Sequence, residues 1–168
     1  MSFSTSSLYF DDVEVGQEWE SAGRTITEAD VVNFAGISGD FNPIHMDHEF
    51  AKTTLFRKPI AHGLLVWSMS SGLGLYSPPM RTLAFLSVRD WHFREPVFVG
   101  DTVRMRVKVV AKEERGRGRR GEITWRRRVV NQEGRVVQEG VAVTLVEGRG
   151  ARAAAAAAEE KAEEAAAG

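Results

Sequence analysis

Thr102-Val103-Arg104-Met105-Arg106-Val107-Lys108-Val109 alternates apolar and polar residues without a break. Successive side chains on a strand point to opposite faces, so Val103, Met105, Val107 and Val109 face a core while Arg104, Arg106 and Lys108 face water. Ile123 to Val130 and Val136 to Val146 continue as strands, and Asn131-Gln132-Glu133-Gly134 supplies the hairpin turn between them. An earlier strand over Leu83 to Phe93 and another near Gln17 to Thr25 complete an antiparallel set.

Upstream of residue 81 the period is helical. Thr27-Glu28-Ala29-Asp30 resembles a capping box, followed by Val31, Phe34 and Ala35 at helical spacing. This helix stops near Gly36 to Gly39. A second short helix spans Asp47 to Thr54, with Phe50 and Ala51 on its apolar side. Leu64 to Tyr76, halted by Pro78-Pro79, is apolar on nearly every side, which describes a helix buried all round. Helices followed by a run of antiparallel strands give an α+β domain, a sheet packed on a buried helix. The pattern does not by itself select one topology within that class.

The chain has 168 residues, 43% hydrophobic and 27% charged, with a formal net charge of −1. That fits one soluble domain over residues 1–148 and gives no reason to expect a polyanion partner. No cysteine is present, which excludes disulfides and thiolate chemistry. The N-terminal stretch has no basic region and no apolar run, so no secretory signal is read, and no stretch reaches the roughly 20 apolar residues of a membrane span. The expected location is the cytoplasm. Residues 149–168, rich in alanine and glutamate, are expected to form a frayed helix or a disordered tail. Arg115, Arg117, Arg119, Arg120, Arg126, Arg127 and Arg128 form one basic concentration, the first four at a hairpin tip. A solvated edge accounts for them, and without a platform of aromatics no nucleic-acid binding is expected.

Chemistry concentrates in Ser38-Gly39-Asp40-Phe41-Asn42-Pro43-Ile44-His45. An acid and a base, Asp40 and His45, sit on a segment that Pro43 keeps from being ordinary helix, and Asn42 is pushed toward extended geometry. A rigid loop carrying a carboxyl and an imidazole suits acid–base chemistry. A turn in which Asp40 and Asn42 only cap backbone groups has the same residues. His48, three positions after His45 and beside Asp47, raises a metal site, but the proline-broken spacing is not a standard ligand frame. His62 is expected to shape a helix entrance, and His92 to be structural or to stand at a site wall.

Gly39-Asp40-Phe41-Asn42-Pro43-Ile44-His45, then Phe50-Ala51, then Pro59-Ile60-Ala61-His62-Gly63, resemble the MaoC-like (R)-specific enoyl-CoA hydratase family. Ser71-Gly72, Glu95-Pro96-Val97 and Gly100-Asp101-Thr102-Val103 extend the match over about residues 8 to 147. The resemblance implies a hot-dog fold, an antiparallel sheet wrapped around the long helix that starts near Gly63, and pairing into a homodimer or higher oligomer. It implies reversible syn addition of water to a trans-2-enoyl thioester. Asp40 and His45 would be catalytic, Gly63 would offer a backbone N–H to the thioester oxygen, Ser71 would assist in substrate binding and Asn42 would support the loop. Neither a metal nor a cofactor is implied, because coenzyme A arrives with the substrate. Trp67, Tyr76, Leu83 and Trp91 are candidates for the acyl pocket. A thioesterase, a dehydratase of acyl-carrier-protein substrates and a non-catalytic acyl-thioester-binding subunit share the scaffold.

Overall fold

The computed structural model describes residues 7–150. In chain order the elements are β1 (Glu18–Glu20), β2 (Arg24–Thr25), α1 (Glu28–Ser38), α2 (Pro43–Met46), α3 (His48–Thr53), α4 (Gly63–Leu73), β3 (Thr82–Phe93), β4 (Thr102–Arg115), β5 (Arg120–Val130) and β6 (Val136–Glu147). One antiparallel sheet runs β1-β4-β5-β6-β3, and β2 pairs with the start of β4. The tail anticipated from residue 149 lies, from 151 on, outside the described residues. Arg149 itself is tied down, donating from its backbone to Asp11 and from its guanidinium to Asp12.

The alternation in β4 does what it promised: Val103, Met105, Val107 and Val109 are buried. Each such side chain contributes about 1.5–3 kcal/mol on leaving water. β5 lies beside β4 with Val109 opposite Trp125 and Val107 opposite Arg127, and β6 closes the other side. The turn at 131–134 forms as read, with Gly134 at φ 77° and the Asn131 side chain accepting from Glu133 and Arg135. The hairpin tip at Gly116-Arg117-Gly118 takes positive φ at all three positions, a twist that glycine at two of them makes inexpensive.

The basic concentration divides. Arg126 and Arg128 are exposed, as expected, whereas Arg127 shares its face with the buried Ile123, Trp125 and Val129. Parity along the strand places it inward, so for this arginine the solvated-edge reading is corrected.

α4 packs on β4, with Leu65, Val66 and Ser70 turned into the core. Leu64 is 61% exposed and Leu75 and Tyr76 lie outside, so within one chain the helix is covered on one side and bare on the other. α1 begins at the anticipated capping box, Thr27 Oγ1 accepting from Asp30 N–H and Asp30 from Thr27 N–H, and it buries Val31 and Ala35. Such a cap is worth about 1 kcal/mol. In α3 Ala51 is buried but Phe50 is exposed, contrary to the expectation for that phenylalanine. Among the described residues, no helix is long and apolar enough to cross a membrane.

Candidate active site

The end of α1 sets the site. Gly39 takes φ 75° and returns its N–H to Ala35 at 2.8 Å, a left-handed stop that a side chain would resist. The chain then turns through Asp40, whose N–H reaches Ser38 Oγ at 3.2 Å. Asn42 has the extended ψ of 130° that its proline neighbour demands, and its Oδ1 accepts from Ile44 N–H at 3.1 Å. Pro43, read as a helix breaker, instead stands at the first position of α2, where a missing N–H costs nothing. His45 therefore sits on a helical turn, not on irregular loop, which corrects that part of the sequence reading.

Two bonds lock His45 in place. Ile60 N–H donates to Ile44 O at 3.2 Å, and His45 Nδ1 lies 2.7 Å from Ile60 O. A carbonyl only accepts, so the proton is on Nδ1 and Nε2 keeps its lone pair. Nε2 stands 3.9 Å from Asp40 Oδ2. That gap is too long for a direct hydrogen bond and suits two groups that share one water. The other Asp40 oxygen accepts from the Asn42 backbone N–H at 3.3 Å. The His45 side chain is 12% exposed and that of Asp40 51%. Burial holds the imidazole below its ordinary pKa of 6.5, with the neighbouring His62 adding to the effect and the Ile60 bond and Asp40 charge opposing it. His45 is thus neutral near pH 7 and able to take a proton.

His62, 2% exposed, was expected to shape a helix entrance, and it is the residue from which α4 starts. It also supports both members of the pair. Its Nε2 lies 2.8 Å from Asp40 O and must donate there, and its ring packs against His45, with centroids 3.9 Å apart, and at a tilt against Phe34 at 5.2 Å. Its buried Nδ1 has no partner among the described residues. Asp40, His45 and His62 bring a carboxylate oxygen and two ring nitrogens within 4.8 Å of one another. By contrast Asp47 caps α3 and His48 faces Glu28 at 3.3 Å, so the His48 pairing considered for a metal is not assembled.

Gly63 opens α4, so its N–H has no partner within the helix and lies at the positive end of the helix dipole. It borders, together with His45, Ile60, Leu64 and Phe93, a cavity of about 510 Å³. Segment 97–98 pins the approach, Val97 O accepting from Ala61 N–H at 2.8 Å. Gln138 donates to Gly63 O at 2.9 Å and accepts from Trp91 Nε1 at 3.2 Å. The sequence reading passed over Gln138, although a glutamine on the core-facing parity of β6 was a usable signal. Ser71 lies about 12 Å further along the helix from Gly63. Its hydroxyl accepts from Arg127 Nη1 at 3.4 Å and borders a different cavity, so within one chain it is not brought to the Asp40–His45 pair. Of the residues suggested for an acyl pocket, Trp67 packs edge-on against Trp91, and neither they nor Tyr76 and Leu83 border the His45 cavity. His92 is exposed on β3.

Residues 12–131 match the family model for the MaoC like domain. The chain is 43% identical over 102 residues to an (R)-specific enoyl-CoA hydratase of Aeromonas caviae, covering 61% of this chain and 75% of that one. It is 37% identical over 143 residues to an (R)-specific enoyl-CoA hydratase of Rhodospirillum rubrum, covering 84% and 94%. The solved (R)-hydratase from A. caviae superposes with a TM-score of 0.67 at 38% identity, over 79% of this chain and 96% of that one. A Mycobacterium tuberculosis protein described as a double hot-dog fold superposes at 0.76 with 24% identity, over 84% and 44%, which bears on the fold alone.

Proposed function

Because this chain belongs to the MaoC-like domain family, with its hot-dog arrangement of sheet and helix, we propose that it is an (R)-specific enoyl-CoA hydratase. The observation that carries this reading is the unprotonated Nε2 of His45, held toward Asp40 at the edge of the Gly63 cavity by the bond from Nδ1 to Ile60 O. A water between the two groups loses a proton to Nε2 as its oxygen bonds to the β-carbon. The π electrons pass to the thioester oxygen, which the Gly63 N–H stabilises. The proton taken by His45 passes through the newly bonded hydroxyl to the Asp40 carboxylate, which delivers it to the α-carbon on the same face, giving syn addition and leaving both groups as they began. Dehydration runs the same steps backward. No metal or cofactor takes part, coenzyme A being part of the substrate.

A cytoplasmic homodimer fits this reading. β3 is an edge strand that exposes Leu83, Phe85, Leu86, Val88 and Phe93, an apolar edge that a second copy would cover.

Wild-type protein with crotonyl-CoA is expected to lose the conjugated enoyl absorbance and yield (R)-3-hydroxybutyryl-CoA without free thiol. Release of thiol instead points to a thioesterase, and failure across short, long and branched enoyl-CoAs sinks the hydratase reading. The pH profile offers a second check. His45 must be neutral to act, so kcat/KM falls as pH drops, with its midpoint below 6.5. The sign for stability is the same: with the native pKa lowered, the unfolded chain binds more protons in the window just below 6.5, so stability rises with pH across it. An acid limb centred above 6.5 would exclude His45 as the base.

A further inference from the structure

Arg127 stands in an apolar row. On β5 it shares the core face with Ile123, Trp125 and Val129, a position that normally carries a hydrophobic side chain. A guanidinium has five N–H donors and no acceptor. Among the described residues, Nη1 gives one long bond to Ser71 Oγ at 3.4 Å, and Nε is buried without a partner. No carboxylate among the described residues comes within ion-pair distance, and beyond the Ser71 hydroxyl the Phe85 ring stands 5.3 Å away. Burial lowers the pKa to about 10, so the group still carries its charge at neutral pH. A mostly buried cation left in this state is costly unless something supplies the opposite charge.

The surroundings fit a ligand that would do so. Arg127 borders a cavity of about 70 Å³ together with Ser71, Leu75, Phe85, Trp125 and Thr144. Thr144 Oγ1 accepts from Trp125 Nε1 at 2.8 Å, which leaves its own hydrogen to donate. The cavity thus collects donors from Arg127 and Thr144 and a hydroxyl from Ser71, with carbon over most of the remaining wall. A guanidinium fork takes a carboxylate through two parallel bonds, and the carbon-lined remainder of the wall suits an aliphatic stem.

We infer that the Arg127 cavity is a seat for one aliphatic carboxylate group, assigned to neither Asp40 nor His45. The group arrives as a free small acid or as the far end of an acyl chain, and only the latter source rests on the hydratase reading. The full-length protein is melted in sodium butyrate or sodium glutarate against sodium chloride of equal ionic strength. In parallel, kcat/KM is compared for an enoyl-CoA ending in a carboxylate and for its methyl ester. Arg127→Met, which suits the apolar row, and Arg127→Lys, which keeps the charge but loses the fork, are measured beside wild type.

A carboxylate-specific rise in Tm that Arg127→Met abolishes establishes the seat for free acids, whether or not any substrate turns over. A preference for the carboxylate-ended substrate that falls about 10- to 100-fold in Arg127→Met, and less in Arg127→Lys, establishes it for the acyl end. Equal melting in all salts with no substrate preference overturns the inference. So does dissociation of the oligomer by Arg127→Met on light scattering, since Arg127 would then pair with a carboxylate of another copy.

Discussion

His45→Asn is expected to lower kcat/KM for enoyl-CoA hydration by about 10²- to 10⁴-fold, the range for loss of a positioned general base. Asparagine is the informative choice. Its amide nitrogen falls near the place of Nδ1 and can keep the donation to Ile60 O, while nothing replaces Nε2. The loop connection therefore survives and the lone pair facing Asp40 does not. Losing the ring contact with His62 removes part of a largely buried contact, so a stability loss of about 1 kcal/mol is expected, too little to unfold a domain of this size. Asp40→Asn separates the partners further. Its side chain is largely exposed and still accepts from Asn42 N–H, so the fold should hardly notice while turnover falls by a similar factor. If both groups act on one water, the double variant should be little worse than either single one. Enzyme-level thermal melts and single-substrate kinetics decide the matter. A folded His45→Asn protein with more than a tenth of wild-type activity removes His45 from the chemistry.

Much of this arrangement was legible before any coordinates, and the places where it was not have physical causes. Thr27 to Asp30, the turn at Asn131 to Gly134 and the alternation from Val103 to Val109 are local signals, decided by neighbours in sequence, and the structure reproduces each. Pro43 misled because the same residue breaks a helix from within and starts one at its first position; the Asn42 cap tells the two apart. Leu64 looked like core because composition records that a helix is apolar all round, not what covers each side. His62 escaped notice as a support for Asp40 because their contact spans 22 residues. Arg127 is different in kind. Its parity with Trp125 and Val129 was available in the sequence, and its grouping with Arg126 and Arg128 by composition hid the break in pattern. Such breaks are where sites are expected, since a buried charge has no reason to persist for packing alone.

Gly63→Ala should separate the chemistry of the α4 start from its architecture. A methyl group there would lie 2.7 Å from Phe93 Cε1 and 2.8 Å from Cδ1, inside any real contact distance. Something has to move, and the ring is the softer party, because Phe93 is exposed and sits on the edge strand β3. The cost in stability is therefore about 1 kcal/mol, at the low end for overpacking, and partly offset by the gain in helix propensity over glycine. Activity should suffer much more. The displaced ring borders the same cavity as His45, and the new methyl group stands beside the N–H assigned to the thioester oxygen. Losing one such donor lowers kcat by about 10²- to 10³-fold. Phe93→Ala combined with Gly63→Ala removes the collision but not the obstruction at the N–H. If Gly63 acts on the oxyanion, the double variant regains the wild-type melting temperature and stays slow. If it regains both, Gly63 serves only to let the ring lie close, and the oxyanion contact must come from another group.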